Sequence, residues 1–323
     1  MESNITIKSE PKAKIILTKG SAFAYPTANH LPKLHQCMIL NGKCGSGKSV
    51  AATNLLRMYK QTGTMQRILI LSPTFNSNYK LMEDLDININ DVFDPEDPNV
   101  IQKITAVVEG ERDDYVKYIT LKENFKIFMK SLKGKKPIDF LNNDEIDDSF
   151  LDYYDSESDS FKIPKPKYKC YDESPSRTPI LSMLIDDCMC TKLFNDRKFP
   201  SMVIRHRHLG ALPTGGAVGL SLFICIQSYK ASSGLPKVIR NQSTSICLFR
   251  TKDRSELKQI SESFSGEIDP EKFEILYNYA TQESPHDFLF VDLHSKKEQE
   301  SMFRKNFDQY IIYNSENNEV VKI

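Results

Sequence analysis

The chain of 323 residues carries 43 lysines and arginines and 43 aspartates and glutamates, so its formal net charge is zero. Its 40% hydrophobic and 27% charged residues are typical of a soluble globular protein with a sizeable core. Without net charge there is no global field that attracts nucleic acid or an anionic membrane. Any contact with DNA must therefore come from a local basic patch, or from a ring of subunits that concentrates one.

No apolar run approaches the roughly 18 residues of a membrane-spanning helix. The first twelve residues contain four charged side chains and no apolar signal core. We therefore expect an intracellular protein without a membrane span. The seven cysteines form no C-x-x-C pair, which favours free buried thiols over disulfides or a zinc site.

A short strand is expected at residues 13–17, and the first strong motif follows the apolar run 37–40. This motif fits the phosphate-loop pattern G-x-x-x-x-G-K-[ST] at every constrained position. Its residues are Gly42, Lys43, Cys44, Gly45, Ser46, Gly47, Lys48 and Ser49. The glycines allow a tight turn whose N–H groups face phosphate oxygens at the positive end of the next helix. Lys48 would reach the β- and γ-phosphates and Ser49 would ligate Mg²⁺, which predicts a site for ATP with Mg²⁺.

The residues after the loop predict a helix to about residue 59 or 61, with a glycine stop near Gly63. The apolar run 67–71 then predicts a strand buried on both faces, as in a parallel sheet with helices on both sides. The polar residues 74–78 follow this strand at its carboxyl end. One interpretation is that they contact nucleotide or a neighbouring subunit; the other is that they form a plain turn. The sequence favours neither interpretation.

Residues 86–169 predict a helical and acidic insertion within a single domain that spans residues 1–323. Helical spacing of apolar residues over 99–132 predicts one or two amphipathic helices. The segment 139–159 is rich in aspartate, glutamate and serine, so we expect partial disorder near 139–160. A second interpretation is that this segment mimics nucleic acid or docks a basic partner.

The apolar run 179–185 predicts a strand that ends in Asp186 and Asp187. With a phosphate loop upstream, Asp186 would hold Mg²⁺ and Asp187 would orient or deprotonate the attacking water. The next predicted strand, 220–226, is followed by Gln227. An amide at this strand end would hydrogen-bond the γ-phosphate and the attacking water, although a plain capping role is the alternative.

The remaining elements complete a mainly parallel sheet. A helix is predicted at 199–208, a fifth strand at 244–250, helices over 253–264 and near 273–280, and a terminal strand at 287–292. The predicted fold class is α/β: a P-loop NTPase of RecA/FtsK-like type, with helices on both faces of the sheet.

The order of these motifs, together with the run Leu235-Pro236-Lys237-Val238-Ile239-Arg240-Asn241, resembles the FtsK/HerA superfamily of DNA-pumping ATPases. Within it, the chain is most similar to the genome-packaging ATPases of large DNA viruses (poxvirus, giant virus and virophage type). The resemblance covers residues 36–74 and 179–292. It implies an ATPase that translocates double-stranded DNA, with nucleotide at residues 42–49, Mg²⁺ at Ser49 and Asp186, a catalytic carboxylate at Asp187 and a sensor at Gln227. Bacterial relatives usually carry Glu at the position of Asp187.

The resemblance also implies a homo-oligomeric ring, a hexamer or pentamer, in which an arginine of one subunit reaches the next subunit's γ-phosphate. Arg205 and Arg207 are the first candidates, and Arg240 and Arg250 come next. The implied partners are double-stranded DNA and capsid or portal components, and the implied location is the viral assembly site of an infected cell, or the virion.

Three other protein classes are alternatives to this interpretation of the motifs. A switch GTPase predicts an N-K-x-D run, which the sequence lacks. A helicase or other DNA-remodelling ATPase calls for paired arginines in a second sheet domain, for which the chain is too short. A nuclease requires a further cluster of acidic residues on an ordered element, and no such cluster stands out in the sequence.

Overall fold

Twelve strands are present in the computed structural model, which describes residues 27–28, 30–74, 83, 85–132, 134–141, 148–229, 235–295, 301–314 and 319–322. The predicted strand 13–17 and residues 75–78 of the polar loop lie outside these ranges. The strands are β1 (Cys37–Asn41), β2 (Arg67–Leu71), β3 (Val92–Phe93), β4 (Tyr154–Asp155), β5 (Ser160–Phe161), β6 (Leu181–Ile185), β7 (Leu220–Ile226), β8 (Ser245–Phe249), β9 (Phe288–Asp292), β10 (Phe303–Lys305), β11 (Gln309–Asn314) and β12 (Glu319–Lys322).

Eight α-helices connect or flank these strands within the described ranges. They are α1 (Lys48–Gln61), α2 (Val100–Ser131), α3 (Ile138–Leu141), α4 (Lys192–Asn195), α5 (Lys198–Arg205), α6 (Lys237–Arg240), α7 (Arg254–Ser263) and α8 (Pro270–Thr281). The predicted stop of α1 is confirmed, since Gly63 adopts a φ of 68° two residues beyond the helix. Within the described part of the chain, every helix is too short or too polar to cross a bilayer.

Ten of the strands form one sheet, in the order β12-β11-β10-β9-β8-β1-β7-β6-β2-β3. The six strands from β8 to β3 run parallel, whereas β9 to β12 continue the sheet in antiparallel pairs. Parallel strands end at a common edge, and α/β sheets bind ligands at that carboxyl edge. The phosphate loop, Asp186 and Gln227 follow β1, β6 and β7, and therefore meet there.

The sheet is covered by helices on both faces, which confirms the predicted fold class. Alternate residues of β1 belong to different faces: Cys37 and Ile39 pack in one core cluster, and Met38 and Leu40 in the other. The first cluster contains buried side chains of α2, α5, α7 and α8, and the second contains those of α1. Because β1 is completely buried between these layers, the loop that follows it starts from a rigid strand.

The strand predicted at 287–292 is present as β9, but the prediction that it is the terminal strand was wrong, because three more strands follow it. The sequence of β10 does not look like a buried strand, since it is Phe303-Arg304-Lys305 and all three residues are buried. The Arg304 guanidinium donates hydrogen bonds to the carbonyl oxygens of His30 (2.8 Å) and Phe307 (3.0 Å). It also lies 4.5 Å from the Tyr310 ring centroid. Its Nη2 also lies 3.5 Å from Oδ2 of buried Asp292. A cation held by carbonyls, a ring and a carboxylate occupies a core position that hydrophobic patterning cannot reveal.

The middle of the chain is attached to the core by α2, a single helix of 32 residues. Its first half contributes Val100, Ile104 and Val108 to the core, and buried Glu111 accepts a hydrogen bond from Arg67 Nη1 (2.7 Å). Residues 142–147 of the acidic segment lie outside the described residues. Residues 148–161 form a 3₁₀-helix followed by the short antiparallel pair β4–β5.

Candidate nucleotide-binding site

The predicted phosphate loop joins β1 to α1, and its glycines are needed for its shape. Gly45 and Gly47 have φ values of 76° and 99°, in the left-handed region. At Gly42 the constraint is space, because an added Cβ would lie 2.6 Å from Ser46 Oγ and 2.7 Å from Phe249 Cβ. These residue types therefore fix a tight turn packed directly against the end of β8.

The amino end of α1 has the features of an anion site. Its N-cap residue, Gly47, provides no side-chain hydrogen bond, and its first turn contains no acidic residue. By contrast, α7 and α8 are capped by Asp253 and Asp269, whose carboxylates accept hydrogen bonds from the first-turn N–H groups. The N–H groups of α1 and the positive end of its dipole thus remain available for phosphate oxygens.

Lys48 lies across the loop with its side chain buried. Its ammonium donates hydrogen bonds to the carbonyl oxygens of Gly42 (2.8 Å) and Lys43 (2.9 Å). A buried ammonium that is held by neutral carbonyls alone is stabilised further by an anionic partner. The side chain is therefore positioned to interact with a phosphate that rests on the same loop.

The phosphate loop and the end of β6 meet through one short hydrogen bond, in which Ser49 Oγ donates to Asp186 Oδ2 at 2.6 Å. The second carboxylate oxygen, Asp186 Oδ1, is buried and has no hydrogen-bond partner among the described residues. Mg²⁺ in nucleotide sites is held by one or two protein oxygens together with phosphate oxygens and water. The hydroxyl and the unsatisfied carboxylate oxygen fit such an ion.

Asp187 and Gln227 are exposed at the same edge of the sheet. Asp187 has a φ of 54°, a left-handed conformation that Asp tolerates better than most residues and that turns the chain sharply after β6. Gln227 directly follows Ile226, whose carbonyl accepts a hydrogen bond from Gly42 N at 3.1 Å. The end of β7 is therefore bonded to the first residue of the phosphate loop.

The segment after Gln227 is held by hydrogen bonds with two side chains, Glu256 and Arg240. The sequence analysis predicted neither contact. Glu256 of α7 accepts hydrogen bonds from Tyr229 N (2.7 Å) and Ser228 Oγ (3.3 Å). Arg240 donates to the carbonyl oxygens of Tyr229 (2.9 Å) and Leu235 (2.7 Å), and its guanidinium lies 5.4 Å from the Tyr229 ring centroid. These contacts give Arg240 an internal role in its own subunit.

The other arginine candidates lie at opposite edges of the sheet. Arg205 ends α5, and Arg207 follows beside His206, whose Nδ1 donates to the carbonyl of Leu220 at the start of β7 (2.6 Å). Both arginines are therefore at the amino edge of the sheet, away from the phosphate loop of the same chain. Arg250 is exposed and directly follows β8, at the carboxyl edge.

A residue that the sequence analysis missed, His286, lies beside the phosphate loop. Its Nδ1 is 3.2 Å from the carbonyl oxygen of Ser46, and because a carbonyl only accepts, Nδ1 donates. A Cβ at Gly47 would lie 3.3 Å from this nitrogen. His286 and Ser46 are 240 positions apart in the chain, and no sequence motif around His286 predicts their contact.

Two buried thiols, Cys188 and Cys225, lie close to Asp186. Burial raises the pKa of the Cys225 thiol well above its usual value, and the charge of Asp186 raises it further. Cys188 Sγ donates to the carbonyl oxygens of Leu71 (3.2 Å) and Asp186 (3.3 Å), and burial raises its pKa too. Both thiols therefore stay protonated, and Cys188 supports the turn after β6. The cysteines are free, as predicted, and five are buried, but Cys44 and Cys190 are exposed.

No family model and no curated protein matches the chain. Solved structures do resemble it at low identity. The genome packaging NTPase B204 from Sulfolobus turreted icosahedral virus 2, in complex with sulfate, is 14% identical over 84% of this chain and 95% of that chain, with a TM-score of 0.42. EssC (ATPases 2 and 3) from Geobacillus thermodenitrificans is 13% identical over 84% of this chain and 39% of that chain, with a TM-score of 0.43.

A third similar structure is the pCW3 conjugation coupling protein TcpA, in monomer form with ATPgS. It is 15% identical over 81% of this chain and 59% of that chain, with a TM-score of 0.39. A genome packaging NTPase is thus among the structures that this chain resembles at low identity.

Proposed function

We propose that this chain is an ATP-hydrolysing motor that translocates double-stranded DNA, and that its task is to package a viral genome into the capsid. The observation that carries the hydrolytic part is the hydrogen bond between Ser49 and Asp186. It joins two motifs that are 137 positions apart into one site. The DNA substrate is supported by the motif order and by the run 235–241, which resemble DNA-pumping ATPases.

In this proposal each residue has one task. The loop N–H groups and Lys48 bind the phosphates and neutralise their charge, while Ser49 and Asp186 hold Mg²⁺. An ion held by these two residues would supply positive charge that stabilises the negative charge developing during transfer. Asp187 orients the attacking water and accepts its proton, and Gln227 hydrogen-bonds the same water and the γ-phosphate.

Movement of DNA requires that hydrolysis alters the contacts between subunits. Arg205 and Arg207, at the amino edge, are the candidates to reach a neighbour's γ-phosphate in a ring of five or six copies. An arginine supplied in this way is worth roughly 10³ to 10⁵ in rate. We place the motor at the assembly site of an infected cell or in the virion, with capsid or portal components as its partners.

A two-domain helicase is the weaker candidate, because the described residues form one ten-stranded sheet and a two-stranded hairpin. A nucleotide switch would use the same phosphate site without DNA. The measurement that separates these functions is the ATPase rate with and without double-stranded DNA, together with the mass of the assembly. A motor shows stimulation by DNA regardless of sequence, a decline with salt, and a multimeric mass.

The site assignment is tested by Lys48→Ala, with Lys126→Ala on the exposed face of α2 as the matched control. We expect Lys48→Ala to abolish ATP turnover and the control to retain it, while both variants keep the wild-type melting temperature. Retained hydrolysis in Lys48→Ala would refute the site. Mixing Lys48→Ala with Arg207→Ala subunits then tests action between chains, since activity should return only in the mixture.

A further inference from the structure

We propose that an acidic hairpin of one subunit docks in a basic groove of a neighbouring copy of this chain, an inference that rests on the ring of the proposed function and gives it a specific contact. The hairpin is β4–β5, and the segment 152–159 contains four carboxylates and no lysine or arginine. The groove lies between α2 and α5 and has a volume of about 650 Å³. Neither the hairpin nor the groove belongs to the phosphate site of its own chain.

Helix α2 carries the hairpin beyond the amino edge of the sheet. Glu111 of α2 accepts a hydrogen bond from Arg67, the first residue of β2, so the helix has reached the amino edge at this point. It continues for a further ~30 Å to its end. There Phe128 packs against the hairpin, with its ring centroid 5.0 Å from that of Phe161 and 5.2 Å from that of Tyr153. These aromatic contacts hold the hairpin at the far end of the helix.

The arm, which we define as residues 119–131 and 148–161, exposes apolar and acidic side chains together. Ile127 is 68% exposed and Leu151 is 55% exposed. Asp152 and Glu157 of the hairpin segment are also exposed, whereas Asp155 pairs with Lys162 at 2.8 Å. The lysines of the arm lie on α2, so the negative charge is concentrated in the hairpin segment. Apolar residues with an acidic rim fit a partner that has an apolar floor and a basic rim.

The groove between α2 and α5 has this complementary composition. Apolar side chains that are buried or half-buried contribute to its lining: Ile101, Met202 and Leu209. Four basic side chains and one carboxylate, Glu109, also line it. The basic residues are Arg112, Lys198, Arg205 and His208. Arg112 is paired with Asp113 at 2.8 Å, and the other three are exposed. The excess of positive charge is therefore accessible to an acidic segment.

The hairpin cannot reach the groove of its own chain, because one continuous helix holds the two apart. Ala106 lies midway along the α2 wall of the groove, and Phe125 contacts the hairpin at Tyr153, with 5.2 Å between the ring centroids. On α2 these two positions are ~28 Å apart. The chain from Tyr153 to Glu157 spans at most ~14 Å. The groove must therefore receive the hairpin of a second copy.

A contact between two different surfaces of the same chain is head-to-tail, the type of interface that closes into rings. Lys198 and Arg205 line the groove on α5, so Arg205 would be engaged by the neighbour's hairpin. Arg207 then remains as the candidate at the amino edge to reach a neighbour's γ-phosphate.

The test reverses the charges on each surface and measures self-association by sedimentation velocity over a range of protein concentrations. The hairpin variant is Asp152→Lys with Glu157→Lys, the groove variant is Lys198→Glu with His208→Glu, and a fourfold variant combines them. The hairpin and groove variants should each weaken self-association by about tenfold or more, because like charges then face each other. The fourfold variant, in which opposite charges face each other again, should return to within about threefold of wild type.

The matched controls are Lys258→Glu and Glu262→Lys, exposed positions on α7 that lie outside both surfaces. They should leave self-association within about twofold of wild type, and every variant should keep the wild-type melting temperature. Unchanged assembly in the hairpin and groove variants, or a fourfold variant as weak as either, would overturn the inference and leave the ring intact. A wild type that stays monomeric at every concentration, with and without ATP, would instead refute the ring of the proposed function, and this contact with it.

Discussion

Acidification should destabilise this protein through two buried histidines at the amino edge of the sheet. His35 and His206 are 3% and 1% exposed. Burial first, and then the neighbouring charges of His206 and Arg207, lower the pKa of His35 to about 3, against a backbone hydrogen bond to Val218, which raises it. Burial also lowers the pKa of His206 to about 4, against the hydrogen bond to Leu220, which raises it. Both imidazoles are therefore neutral in the folded protein at pH 5.

The sign and size of the effect follow from proton binding. In the unfolded chain both histidines titrate near pH 6.5, so below this pH the unfolded state binds protons that the folded state cannot. The free energy of unfolding is then constant above about pH 7 and falls below pH 6.5 by roughly 1.4 kcal/mol per pH unit for each histidine. From pH 7 to pH 5 the loss is about 2 kcal/mol for each, or about 4 kcal/mol for the pair.

The measurement is urea-induced unfolding at pH 7, 6 and 5. We expect the wild type to lose about 4 kcal/mol over this range, and His35→Gln or His206→Gln to lose about half as much. His208→Gln is the matched control, because this histidine is exposed and should leave the pH dependence unchanged. The reasoning is refuted if all four proteins lose the same stability between pH 7 and pH 5.

Three further substitutions test single contacts. Gly42→Ala should destabilise the protein by about 1 to 3 kcal/mol in urea unfolding, because its Cβ would overlap the buried Phe249 side chain. Glu111→Gln should cost about 2 to 4 kcal/mol, because the buried carboxylate holds Arg67, and an unchanged unfolding midpoint would contradict this. Glu256→Gln should lower kcat roughly fivefold with unchanged AMPPNP affinity, because it loosens the segment after Gln227; weaker affinity would argue against it.

The elements that carry the phosphate site were predictable because each is defined by a local pattern. A continuous apolar run can be stable only if both faces of its strand are buried, and this placed β1, β2, β6, β7 and β8. The glycine spacing then predicted the loop after β1. Because parallel strands end at a common edge where α/β sheets bind ligands, Asp186 and Gln227 were expected near this loop. The contact between Ser49 and Asp186 is the outcome expected from these rules.

Strand β10, which was not predicted, has no continuous apolar run. A strand with Arg304 buried at its centre does not read as a core element, because its burial depends on carbonyl and ring partners from distant parts of the chain. The same applies to Glu111 in α2, whose burial depends on Arg67, 44 positions away in the chain. Polar groups are buried only with partners, and partners are decided by the assembled fold.

The sequence by itself determined the α/β class, the phosphate loop and the pair of motifs that would hold a metal-bound triphosphate, because spacing of a few residues along the chain specifies them. Only the tertiary structure decided that His286 contacts Ser46 and that Arg205 and Arg207 lie at the far edge from their own loop. These facts depend on how strands far apart in sequence are ordered in the sheet. Strand order is a property of packing between surfaces, so no local run of residues encodes it.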